Sequence, residues 1–110
     1  MKKIYHLSTC STCQRILKEM GAAKKRFQLQ DIKTEKITPA QLDELKSRTG
    51  SYEALFSRRA VKYKEMGLKE KMLSEDDYRR LILEEYTFLK RPVILDGPAI
   101  SIGGQPFHDK

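Results

Sequence analysis

The chain has 110 residues, of which 39% are hydrophobic and 34% charged, and 22 Lys and Arg against 15 Asp and Glu give a formal net charge of +7. That length makes one domain with a modest core, and this balance of apolar and charged residues excludes a disordered chain. No apolar run approaches a membrane span, and acids interleave the basic clusters without any zinc-finger, RNP or long basic-helix pattern, so neither membrane nor direct nucleic-acid binding is expected.

A positive surface of this kind steers anionic small molecules or an acidic protein partner. Met1-Lys2-Lys3 leads straight into a strand over residues 3–7, with no apolar core of a secretion signal, so a cytoplasmic protein is expected. Next comes Ser8-Thr9-Cys10-Ser11-Thr12-Cys13-Gln14-Arg15, which holds both cysteines of the chain. Cys13, Ile16, Leu17 and Met20 then recur at i, i+3, i+4 and i+7, the mark of one buried helical face. Ser11 and Gln14 fit an S-x-x-Q capping box, and Gly21 is placed as the helix stop.

Cys10 therefore lies just outside a helix N-terminus, where unpaired N–H groups and the macrodipole favour an anion. A thiolate is such an anion, and cysteine pKa falls at such sites. Cys13 sits one turn on, facing inward, within reach of a disulfide. The layout is that of an exposed attacking thiol backed by a sheltered resolving one. Three other readings stay open on the residues alone. A structural disulfide across a two-residue gap would constrain the unfolded chain little. A zinc site would need two further ligands where His6 and His108 are the only histidines, and no metal is expected. Both thiols could also pack as small hydrophobes.

Residues 25–32 alternate, Phe27 and Leu29 against Gln28 and Gln30, which predicts a strand and makes residues 3–32 a β-α-β unit with a parallel pair. His6 shares a strand face with Ile4 and stands four residues before Cys10, near the same mouth, where it could tune the thiol. Thr38-Pro39-Ala40-Gln41 opens a helix with a cap, a proline at its first position and a capping box; Leu42 and Leu45 form its apolar side and Gly50 ends it. Ser51 caps a short helix carrying Tyr52, Leu55 and Phe56. A helical turn and a break follow over residues 61–68, and Ser74-Glu75-Asp76-Asp77 starts a helix with Tyr78, Leu81 and Ile82 on one side. Arg91-Pro92 ends this helical block. Val93 to Leu95 and Ala99 to Ile102 then form a hairpin around Asp96-Gly97.

The order is β-α-β, a helical block and a β-hairpin. Joined, these give an α/β fold with a four-stranded mixed sheet in the thioredoxin-like arrangement. It is expected as a single domain over residues 1–110, with residues 1–32 as the β-α-β unit, 33–90 as an all-helical insertion and 91–104 as the hairpin. In that arrangement a proline opening the third strand commonly sits beside the reactive cysteine, often as a cis peptide. Pro92 is that proline, and Arg91 before it would point toward Cys10.

Three segments carry a family resemblance through nearly the whole chain: Ile4-Tyr5-His6 with Cys10, Leu55-Phe56-Ser57-Arg58 through Tyr63 to Gly67-Leu68, and Leu89-Lys90-Arg91-Pro92-Val93-Ile94. The sequence resembles the glutaredoxin-coupled arsenate reductases and their relatives, the Spx-type regulators. The resemblance implies that Cys10 is the nucleophile and that His6 favours its thiolate. It implies that Arg91, beside Pro92, binds both thiolate and oxyanion, and that Arg58 or its neighbour Arg59 supplies another functional arginine. It also implies an external reductant, glutathione with glutaredoxin, or thioredoxin; no bound cofactor is expected, and nothing in the sequence demands more than a monomer. The C-x-x-C departs from the arsenate reductases, in which the second position is usually not cysteine, and matches the Spx-type pattern, implying an internal Cys10–Cys13 disulfide. No arginine follows the final hairpin from Gly103 to Lys110, where the arsenate reductases carry one. The alternative function that the resemblance implies is a redox-sensing transcriptional regulator that binds the RNA polymerase alpha subunit.

Overall fold

The computed structural model describes residues 2–21, 25–105 and 107–109. The chain divides into two compact units: residues 1–36 with 91–110, and residues 37–90. The second unit therefore begins a few residues later than the insertion expected from residue 33.

The first unit is a mixed sheet with one helix. Its strands are β1 (Lys2–His6), β2 (Gln28–Asp31), β3 (Val93–Asp96), β4 (Ala99–Ile102) and a two-residue β5 (His108–Asp109), in the order β2-β1-β3-β4-β5. Only β1 and β2 run parallel; the other pairs are antiparallel. The four expected strands are present with the expected directions, and β5 extends the sheet by pairing Ile100 with His108 and Ala99 with Asp109. Helix α1 (Ser11–Met20) crosses from β1 to β2, and Gly21 ends it in the left-handed conformation at φ 64°, as the sequence pattern requires. Ile16, Leu17 and Met20 pack on a cluster of Ile4, Phe27 and Ile94, so the i, i+3, i+4, i+7 stripe is the face that holds α1 to the sheet. Each fully buried aliphatic side chain here contributes about 1.5–3 kcal/mol.

Two local expectations need correction. The second strand is shorter than residues 25–32: Phe27 lies before it, Leu29 is exposed, and Gln30 is the buried residue. Gln30 tolerates burial because its amide donates to the carbonyls of Glu35 and Lys36, replacing water. The capping box at Ser11 and Gln14 does not form either. Cys10 is the N-cap and Ser11 the first helical residue, so Gln14 falls one position too late and turns its amide back to the Ser8 carbonyl.

The second unit is helical. It contains α2 (Pro39–Thr49), α3 (Val61–Glu65) and α4 (Glu75–Glu84), joined through 3₁₀ turns at Glu53–Leu55, Leu68–Glu70 and Tyr86–Phe88. Thr38 with Gln41 and Ser74 with Asp77 form reciprocal capping boxes on α2 and α4. Ser51 accepts the Ala54 N–H at the first 3₁₀ turn. Phe56 is the centre of packing: its ring stacks on Phe88 at 5.0 Å and meets Tyr78 at 4.8 Å and Tyr63 at 6.1 Å. A polar clip fastens the outside, with Arg79 and the Tyr52 hydroxyl both donating to the Asp43 carboxylate. Glu75 accepts the Tyr52 and Glu53 N–H groups.

Candidate active site

Cys10 stands where β1 gives way to α1. Its N–H donates to the Leu7 carbonyl, closing a tight turn through Ser8 and Thr9, and its own carbonyl accepts the Gln14 N–H that starts the helix. The first turn of α1 carries no acidic residue and no ordinary side-chain cap. The positive end of the helix dipole is therefore left for the Cys10 sulfur to answer. Cys10 is partly exposed, Cys13 is fully buried, and both are free thiols.

The two sulfurs are driven apart in acidity. At Cys10 partial burial works against the anion, but the Cys13 N–H and thiol directed at its sulfur, and the Arg91 guanidinium hydrogen bonded to it, outweigh that and lower its pKa. At Cys13 burial is the leading cause, and the nearby Cys10 adds to it, so its pKa is pushed up to about 11 against some help from the Leu7 N–H. The result is one thiol made more acidic than an ordinary cysteine and one, its donor, made less acidic. Arg91 lies just before β3, and the Arg91–Pro92 peptide is cis.

His6 lies at the end of the strand that leads into the Cys10 turn. It ends β1 opposite Asp31 in the parallel register, and its charge bears on the Asp31 carboxylate. Among the described residues its side chain makes no hydrogen bond to Cys10. Asp31 is a residue that the sequence did not single out. Its carboxylate accepts the Ser8 N–H at 3.3 Å and the Lys33 N–H at 3.1 Å, and also the Ser8 hydroxyl, which leads the causes lowering its pKa. An aspartate at a strand end carries no motif; only the β1–β2 register, set by chain packing, brings it to this turn.

Arg58 and Arg59 belong to the second unit. The Arg58 guanidinium donates to Glu53 at 2.7 Å and to the Tyr78 hydroxyl at 3.1 Å. Arg59 is exposed, and among the described residues its guanidinium makes no ion pair. The structure thus joins Cys10, Cys13 and Arg91 directly, with Pro92 adjoining, and describes Arg58 and Arg59 within their own unit. Among the described residues no three His, Cys, Asp or Glu side chains gather as a metal-binding group, and no helix is long and apolar enough to cross a membrane. The His108 side chain lies outside what the structure describes. A groove of about 520 Å³ runs along α1 between Thr12, Ile16, Ile94 and Phe107; neither Cys10 nor Arg91 lines it, so it is not the thiol site.

Residues 5–106 match the model of the ArsC family. The uncharacterized Bacillus subtilis protein YusI is 28% identical over 102 residues, spanning 90% of this chain and 86% of that protein. Among solved structures, the Staphylococcus aureus protein SACOL0876 is 28% identical with a TM-score of 0.76, covering 96% of this chain and 92% of that one. An arsenate reductase from Vibrio cholerae superposes with a TM-score of 0.79 at 21% identity, covering 93% of this chain and 88% of that one.

Proposed function

Because the chain belongs to the ArsC family, we propose that it is a thiol-disulfide oxidoreductase whose Cys10 thiolate attacks an oxyanion, arsenate, or a disulfide. The observation that carries this reading is the convergence of the Cys13 N–H, the Cys13 thiol and the Arg91 guanidinium on the Cys10 sulfur. Lowering the pKa of a thiol raises the share of it present as the nucleophilic thiolate, and a guanidinium beside it attracts the anion that the thiolate would otherwise repel.

With arsenate, the Cys10 thiolate displaces one hydroxyl oxygen, the arsenic–oxygen bond breaking as a sulfur–arsenic(V) bond forms, and the released hydroxide takes a proton from solvent and leaves as water. Consuming the Cys10 charge removes one of the two forces that hold Cys13 protonated. Cys13 then loses its proton and attacks the Cys10 sulfur. The sulfur–arsenic bond breaks with its electron pair going to arsenic, which departs as arsenite, arsenic(III). A Cys10–Cys13 disulfide remains, and the two electrons lost by the thiols are those gained by arsenic. An external dithiol or glutathione, delivered through glutaredoxin or thioredoxin, returns them. Arg91 holds the oxyanion; Arg58 or Arg59 is the proposed second guanidinium, and His6 is proposed to favour the thiolate.

The test is steady-state arsenate reduction by the purified protein, coupled separately to glutaredoxin with glutathione and to thioredoxin. Turnover that vanishes in Cys10→Ser establishes the reaction. No turnover with either reductant, from a protein whose disulfide forms readily, discards it in favour of a redox-switched binding protein.

A further inference from the structure

We propose that Asp31 is a positioning residue for Cys10, acting through Ser8. This rests on Cys10 being the attacking group, but not on which substrate it attacks.

The turn from Leu7 to Cys10 has one hydrogen bond of its own, from the Cys10 N–H to the Leu7 carbonyl at 2.9 Å. Such a turn, exposed and carrying Ser and Thr at its centre, would by itself rock. Three further contacts, all at Ser8, prevent this. Its N–H donates to the Asp31 carboxylate at 3.3 Å and its hydroxyl donates to the same carboxylate. Its carbonyl accepts from the Gln14 side chain. Every polar group of Ser8 is therefore engaged, two by the end of β2 and one by α1.

Asp31 is itself fixed. Its carboxylate also accepts the Lys33 N–H, its carbonyl accepts the Thr34 and Glu35 N–H groups, and the next N–H, of Ile32, donates to the His6 carbonyl at 2.9 Å. The carboxylate thus transmits the position of the β1–β2 pair to the residue two before the nucleophile. Displacing that turn would move the Cys10 sulfur away from the Cys13 N–H and from Arg91, whose geometry favours the thiolate. The charged and titratable groups that bear on Cys10 are Cys13 from α1 and Arg91 from the segment before β3. His6 from β1 bears on Asp31.

Charge and position pull in opposite directions, which makes the idea testable. Removing a negative charge near a thiol, with nothing else changed, would lower the thiol pKa; loosening the turn raises it. The experiment is the pH dependence of Cys10 alkylation by iodoacetamide, followed by mass spectrometry in the intact reduced protein. In Asp31→Ala the midpoint is expected to rise by about half to one pH unit, threefold to tenfold less thiolate below it. Asp31→Asn keeps the acceptor oxygen and is expected to bring the midpoint back to the wild-type value or below. A midpoint unchanged or lowered in Asp31→Ala overturns the proposal. Should that variant not fold, Ser8→Ala removes only the hydroxyl contact at an exposed position; a rise supports the proposal and no change overturns it. Alkylation needs no reductase activity, so a chain without arsenate turnover could pass this test while failing the other.

Discussion

The Arg91 guanidinium is hydrogen bonded to the Cys10 sulfur, although the two residues lie toward opposite ends of the chain. What joins them is the pairing of β1 with β3, in which Tyr5 faces Val93 and Ile4 faces Ile94. Arg91 precedes β3 by two residues, and Cys10 follows β1 by one turn, so both are delivered to the same end of the sheet. Backbone pairing thus brings the cation's residue to the thiol's end of the sheet.

That placement makes Arg91 the residue whose loss should be felt most after the cysteines themselves. In Arg91→Ala the Cys10 pKa is expected to rise and reduction at pH 7 to fall by about 100-fold, as when one donor to a developing anion is removed. Arg91→Lys keeps the charge without the planar fork and should recover part of the thiolate but little of the oxyanion binding. Thiolate absorbance against pH, measured beside steady-state kinetics, separates the two effects. Unchanged absorbance midpoints in both variants would refute the contact.

Opposite shifts at the two thiols give the reduced protein a defined stability profile. Cys10, with its folded pKa below the ordinary 9.0, adds stability that is fully present above 9.0 and is lost as pH falls through its folded value. Cys13, raised from 9.0 to about 11, adds stability that is present below 9.0 and lost as pH rises through 11. At about 1.4 kcal/mol per pH unit the Cys13 loss comes to about 3 kcal/mol. The stability difference between wild type and Cys13→Ala, from urea melts under reducing conditions, should therefore shrink between pH 9 and pH 11. A difference constant across that window would show that Cys13 does not titrate as the fold implies.

Much of this was legible in the sequence wherever a local rule and the tertiary fold agree. Thr38-Pro39-Ala40-Gln41 and Ser74 with Asp77 dictate helix starts whatever surrounds them, and both form as read. The stripe from Cys13 to Met20 marks the correct buried face because the periodicity reflects packing of Ile16, Leu17 and Met20 on the sheet. Reading failed where a local cue competes with a longer-range partner. Alternation set the apolar Phe27 and Leu29 on one side, yet Leu29 is exposed and Gln30 is buried, its amide donating to two backbone carbonyls. Gln14 looked like a cap partner, but Ser8 takes its side chain. Asp31 had no signal at all, because its role depends on strand register alone.

The clip on the second unit yields an acid-sensitive contribution. Arg79 first, and the Tyr52 hydroxyl after it, hold the Asp43 carboxyl down at about 2. A depressed carboxylate stabilises above its ordinary range and loses that contribution as pH falls through the folded value. Asp43→Asn should melt at a lower temperature than wild type at pH 7, and the gap should close as the pH approaches 2. The clip is exposed, so the gap should also narrow with added salt. A gap that persists at pH 2 would assign the loss to something other than the carboxylate charge.

Phe56 tests whether the second unit is held by its ring cluster. It is fully buried, stacked on Phe88 and tilted against Tyr78, while Val61, only a few residues on, is 73% exposed. Truncation to alanine leaves a cavity at the first position and removes only water-facing methyls at the second. Phe56→Ala should cost about 3–5 kcal/mol of unfolding free energy and Val61→Ala less than about 0.5 kcal/mol. Because Phe56 precedes Arg58 by two residues, Phe56→Ala should also loosen the Arg58 contacts with Glu53 and Tyr78, where Phe56→Leu should keep them better. Denaturant melts of the three variants, with reductase assays at a temperature where all are folded, separate stability from site geometry. Equal losses at positions 56 and 61 would remove the ring cluster as the centre of the unit.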